Sequence, residues 1–167
     1  MNIKKIANIV LQFTLNRVIE IIGTLLTIIG FFLLIALISY SPNDPNFIFP
    51  ENTLIKNIFG YHGSYISDLF FQSIGIISYL ASITFILTGI QVFKNKDLFI
   101  IIENIFYTVL YCIFGTLFFN VFYQDTFELY INGNGGFVGQ YLNQSFIGSL
   151  IDLNNTIAYY VLIILIF

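Results

Sequence analysis

From Ile21 to Tyr40 the chain reads IIGTLLTIIGFFLLIALISY, without a single charged side chain. Twenty helical residues rise about 30 Å at roughly 1.5 Å each, the thickness of a bilayer's hydrocarbon core. Lipid offers no hydrogen bonds to the backbone, so a run of this kind folds as a helix that bonds internally. Two further runs follow: LFFQSIGIISYLASITFILTGIQVF from Leu69 to Phe93, and IFYTVLYCIFGTLFFNVFY from Ile105 to Tyr123. The closing stretch from Asn154 to Phe167 is equally apolar. At about fourteen residues it is too short to cross alone, and it reads as a fourth span cut off by the end of the chain. Composition agrees, since 57% of residues are hydrophobic and 9% are charged, against roughly 25% charged in soluble domains. The expected fold is an all-α polytopic bundle of four transmembrane helices in the lipid bilayer. The spans lie near 21–40, 69–93, 98–123 and 152–167, behind an N-terminal segment 1–20 and separated by outer loops 41–68 and 124–151.

The first run has the charged approach of a signal peptide in Lys4, Lys5 and Arg17. A signal core is only about 7 to 15 residues and leads to a small-residue cleavage site. This run is longer and leads into Tyr40 and Pro42, so it reads as a retained anchor. Basic residues then set the orientation. Lys4, Lys5 and Arg17 precede the first span, Lys94 and Lys96 lie in the KNKD turn after the second, and Lys56 stands apart between spans one and two. The side that collects five of the six bases is expected to be the cytoplasm. The third loop, with Asp125, Glu128 and Asp152, then lies outside.

The chain leaves the first span through SYSPNDPNF, Ser39 to Phe47. Pro42 disfavours helical geometry at Ser41 and lacks an N–H, so the helix ends near Tyr40. Asn43, Asp44 and Pro45 are turn formers, which makes the segment a rigid exit turn. Further on, Gly60 and Gly63 free the backbone, Ser64 is placed to cap a new helix, and Asp68 is placed near the positive end of the second span's dipole. In GGFVGQYLNQSFIGSLI, Gly135 to Ile151, large apolar residues recur at spacings of one, three and four among Gln140, Asn143, Gln144 and Ser149. That pattern predicts an amphipathic helix lying in the interface, with Phe137 and Tyr141 as anchors; a packed re-entrant helix is the rival reading.

Few residues point to chemistry. Glu103 is the acid nearest a membrane interior, where a carboxylate reads either as a proton relay or as an interfacial group pairing with Lys94 or Lys96. Gln72, Gln91, Asn104 and Asn120 read as helix–helix hydrogen bonders. Gly75, Ser78, Ala81, Ser82 and Gly89 form a small-residue stripe, suited to close packing against a helix of this chain or of another copy. His62 has no second ligand at metal spacing, and the lone Cys112 carries no disulfide. There is no basic patch for nucleic acid and no phosphate-binding or nucleophile motif. The residues describe a non-enzymatic membrane protein with no cofactor; a small transporter or ion-pathway subunit using Glu103, Asn104 and Asn120 is the alternative.

Several of these residues fall together into a known pattern. The exit ISYSPNDPN, with Pro42, Asp44 and Pro45, resembles the L-S-x-x-P-x-D-P exit of the four-span N-terminal membrane domain of FtsK/SpoIIIE-type DNA translocases. In register with it, Asn57, Gly60 and Gly63 resemble that family's N-x-x-G-x-x-G loop, Asp68 its acid before the second span and Gly75 the glycine within it. GGFVG, with Gly135, Gly136 and Gly139, is similar to the G-G-x-x-G before its fourth span. The resemblance implies a membrane anchor for a cytoplasmic hexameric motor at the division septum. It also implies self-association and contacts with cell-division proteins that couple chromosome segregation to septation. ATP and magnesium would belong to the motor, which is not in this chain, and the tryptophan often present in the family's outer loop is missing.

Overall fold

The computed structural model describes residues 3–46, 54–124 and 132–166, with the side chains of residues 3–6 excepted. Phe47, Asp125, Glu128 and Phe167, named above, lie outside the described residues. Seven helices and no strand are found among the described residues: α1 (Ile3–Ile38), α2 (Gly60–Ile74), α3 (Ile77–Asn95), α4 (Phe99–Phe122), α5 (Gly136–Asn143), α6 (Phe146–Leu153) and α7 (Asn155–Ile166). Three of them, Ala7–Ile38 within α1, then α3 and α4, are long and apolar enough to cross a membrane, and α7 is a shorter apolar helix. The chain is thus a helical membrane bundle.

α1 runs for 36 residues, so the segment preceding the first span is helical and continuous with it. Its end at Ile38 is where the coming proline forbids further helix: Ser39 and Tyr40 still bond back to Ile35 and Leu37, and the chain then turns. α1 and α3 pack antiparallel with their backbones almost touching. A Cβ built on Gly23 would lie 2.6 Å from the Phe93 backbone nitrogen, and one on Gly30 2.7 Å from that of Ile86. Gly89 meets Gly23 and Thr27 in the same way. Ser78, Ala81 and Ser82 are buried with Gly89, so the stripe is used within this chain. Hydrophobic burial gives no preference for helix contact inside a bilayer, and small residues let dispersion and close packing take its place.

The run from Leu69 to Phe93 is divided. Its apolar composition predicts one span, but α2 ends at Ile74, Gly75 leaves helical geometry at φ 59°, ψ −140°, and α3 starts at Ile77. α2 packs with the C-terminal end of α1, where Leu33, Leu37 and Phe71 form a buried cluster with Tyr40 and Tyr79 against it. The sequence offers only a glycine in an apolar run here, which serves equally as a packing glycine or a break. What decides is the backbone of Asn134, which occupies the place of a Gly75 side chain.

The amphipathic stretch 135–151 likewise forms two helices. Ser145 separates them, accepting a hydrogen bond from the Ile147 N–H at 3.2 Å as the N-cap of α6. α5 turns Gly139 onto α4 and Gly136 onto the α2–α3 break, and its Phe137 and Tyr141 outward. A second apolar cluster, Leu117, Phe118, Ile151 and Leu162, joins α4, α6 and α7.

Candidate functional site

The site residues read from the sequence sort into two assemblies at one end of the bundle. In the first, Ser41-Pro42-Asn43-Asp44 is a turn closed by the Asp44 N–H on the Ser41 carbonyl at 3.1 Å. Pro42 supplies the fixed φ that the second position of such a turn favours. The turn delivers the Asp44 carboxylate, 4% exposed, beneath the far end of the loop. Its two oxygens accept the backbone N–H groups of Lys56 at 2.9 Å and Asn57 at 2.8 Å. A carboxylate taken from water in this way is held by charge-assisted bonds to both oxygens.

Asn57 is the hub of this assembly. Its Nδ2 donates to the Ala36 carbonyl of α1 at 2.8 Å, and its Oδ1 accepts from the Phe59 N–H at 3.1 Å. Gly63 lies against that same Oδ1, where a Cβ would stand 2.8 Å from the Phe59 Cβ. Gly60 opens α2 with φ 60° in open space, so its role is conformational. Pro45 is buried, and its carbonyl accepts the Ser64 hydroxyl at 2.7 Å. Ser64 therefore does not cap a helix: α2 begins four residues earlier, and the hydroxyl ties the loop down instead. Asp68 also departs from expectation. It lies in the middle of α2, 5% exposed, and accepts from the Tyr40 hydroxyl at 3.0 Å, a cross-link between helices instead of a dipole partner at a helix start.

The second assembly brings together glycines about sixty positions apart in the chain. Gly75 (φ 59°) and Gly136 (φ 62°) face each other across the break between α2 and α3. A Cβ on Gly136 would lie 2.7 Å from the Gly75 nitrogen and the Ser73 carbonyl. One on Gly75 would run into the Asn134 carbonyl, which already accepts the Ile76 N–H at 3.0 Å. Gly135 and Gly139 lie on the Thr116 carbonyl and Asn120 of α4. Asn134, fully buried, donates from Nδ2 to the Tyr123 carbonyl. Its Oδ1 and the Asn120 Nδ2 are a buried acceptor and a buried donor without partners in this structure.

Neither Asn134 nor the Tyr40 hydroxyl was singled out from the sequence. Asn134 sits in an N-G-N-G-G run that signals a turn but not what the turn is for. Asn120 of the ion-pathway alternative stands apart from Glu103 and Asn104. Asn104 donates to Thr88 and Gln91 of α3 at 2.9 and 3.0 Å, as a helix-pairing amide does. Asn120 lies sixteen positions on, about 24 Å along α4 at the helical rise. Glu103 is exposed, and Lys96 pairs with Glu20 instead, at 3.0 Å. No group of three His, Cys, Asp or Glu side chains able to hold a metal occurs among the described residues.

With this geometry in view, the likeness to known proteins is specific. A family model described as the 4TM region of DNA translocase FtsK/SpoIIIE matches residues 16–167. Over 87 residues the chain is 31% identical to the DNA translocase FtsK of Azospirillum brasilense, an alignment covering 51% of this chain and 14% of that protein. The matched region is therefore a small part of that relative's length. No solved structure matches.

Proposed function

This chain belongs to the FtsK/SpoIIIE family of DNA translocases, as their 4TM membrane region, and from that premise we propose that it anchors a DNA-pumping motor at the division septum. The chain itself performs no catalysis. It holds the motor, whose ATP and magnesium lie in other domains, at the cytoplasmic membrane with its N-terminus inside, and it docks cell-division proteins through its outer face. Copies of the domain associate with one another, and the segment makes no direct contact with nucleic acid. In this way chromosome segregation is coupled to septation.

The observation that supports this reading best is the preorganised outer turn. Asp44 and Pro45 are buried and bonded, while Pro42 and Asn43 beside them are exposed. A turn held rigid from below presents a fixed shape, so a partner meets it without a large ordering entropy on association. The test is septal recruitment of a fluorescent fusion carrying Pro42→Ala, which trims the exposed tip while Asp44 keeps its bonds to the Lys56 and Asn57 N–H groups. Recruitment reduced severalfold at an unchanged membrane level is expected. Wild-type septal intensity would remove the turn from the partner surface. The orientation is tested separately in a Cys112→Ser background, by labelling Lys94→Cys with a membrane-impermeant maleimide; protection in intact cells is expected.

A further inference from the structure

At the opposite end of the α1–α3 pair lies a cleft of about 310 Å³ lined by Arg17, Glu20, Ile21, Thr24, Leu25 and Phe93. Its wall is apolar and its mouth is charged. Ile21, Leu25 and Phe93 are each more than half exposed and together form the apolar strip of the cleft. The Thr24 hydroxyl is turned away, donating to the Glu20 carbonyl at 2.8 Å. At the mouth, Glu20 accepts from Arg17 and from Lys96, which comes back from the α3–α4 turn in left-handed geometry at φ 57°.

This cluster is more than a closed set of ion pairs. The Glu20 side chain is 14% exposed, whereas those of Arg17 and Lys96 are 58% and 41% exposed. One carboxylate cannot saturate a guanidinium with five N–H donors and an ammonium with three. The three groups leave one net positive charge at the mouth, where the Arg17 guanidinium also lies 5.0 Å over the Phe13 ring, and Glu20 leaves donors on Arg17 and Lys96 unused. Lys94 adds a further exposed cation in the last turn of α3 and the exposed Asp97 carboxylate, which accepts the Phe99 N–H at 2.9 Å, offsets it, so the net charge of this end stays at one positive.

We infer that this cleft binds an anionic phospholipid, its phosphate held by Arg17 and Lys96 and one acyl chain laid against Ile21, Leu25 and Phe93. Charge complementarity selects the headgroup, because basic clefts between helix ends favour anionic lipids. The apolar strip selects a lipid over a soluble anion, since it stays in contact with hydrocarbon only if a chain lies on it. A zwitterionic lipid carries its own ammonium to the mouth and gains less. Placement in the inner leaflet rests on the orientation proposed above; the headgroup preference does not.

The experiment is native mass spectrometry of the protein released from nanodiscs containing equal amounts of phosphatidylglycerol and phosphatidylcholine with identical acyl chains. Both leaflets are present, so the result is independent of topology, which the maleimide labelling tests by itself. The wild-type protein is expected to retain phosphatidylglycerol in about fivefold or greater excess, the factor one basic residue supplies near an anionic surface. Arg17→Gln with Lys96→Gln brings the ratio near unity, and Lys56→Gln, at the other end, leaves it unchanged. Should the double variant not fold, Glu20→Gln keeps the side-chain shape, removes the opposing charge and raises the ratio. A wild-type ratio near unity overturns the inference. So does an equal fall with Lys56→Gln, which would mark general electrostatics, or a ratio that Glu20→Gln leaves unchanged or lowers.

Discussion

The two ends of the α1–α3 pair handle polar groups in opposite ways. At the end marked by Pro42, Asp44, Asn57, Ser64, Ser67 and Asp68 are all buried and bonded. At the other end Arg17, Lys94, Lys96 and Asp97 are exposed, and the ion pairs join partly solvated chains. A buried carboxylate on two backbone N–H groups is structural, because removing it strands those donors. An exposed ion pair contributes little to stability and leaves its charge available to the surroundings. One end is therefore built to hold a shape and the other to present a field.

The glycine contact on the structural side sets the largest effect. Gly136→Ala places a side chain both in left-handed backbone geometry and against the Gly75 nitrogen, and is expected to destabilise by about 3 kcal/mol. For a chain of this size that lowers the melting temperature by roughly 10 °C in a detergent thermal melt. A drop of only a degree or two would mean that the α2–α3 break and the 134–136 turn yield independently. Asp44→Ala comes next, at about 2 kcal/mol, the scale of bonds to a charged group. The loss should localise: hydrogen exchange at Lys56 and Asn57 accelerates while the α1–α3 contact around Gly89 keeps its protection. Exchange rising equally in both places would erase the distinction between a tied loop and a packed pair.

Tyr40→Phe removes only the hydroxyl that bonds Asp68 and is expected to lower stability by about 1 kcal/mol. Asp68→Asn should be milder, since an amide oxygen can still accept that bond. Weakest of all is Lys96→Gln, which breaks a pair with one side chain 41% exposed; the melting temperature should not move measurably. If it fell as far as for Asp44→Ala, the exposed end would be structural too, and the contrast between the ends would fail.

Much of this architecture was legible in the linear chain because lipid imposes a simple rule. A run such as Ile21 to Tyr40 has no stable alternative to a helix, and a proline after it marks the exit to within about two residues. Local chemistry went less far. Ser64 has the composition of a cap and Asp68 that of a dipole partner, yet both make cross-links whose partners, Pro45 and Tyr40, are 19 and 28 positions away. Such pairings have no periodic signature. Glu20 carries no sequence signal for the same reason, as its partner Lys96 arrives from beyond the end of another helix.

The sequence by itself determined the helical membrane class, the long apolar helices and the family, because these depend on the hydropathy of contiguous segments and on motifs in register. Only the tertiary structure decided that the second run breaks at Gly75, that Gly75 and Gly136 form one contact, and that Asn57 is the hub of the turn after α1. A glycine or an amide reads alike whether it relieves a clash, breaks a helix or closes a turn. What selects among these is the backbone that another part of the chain brings within van der Waals distance.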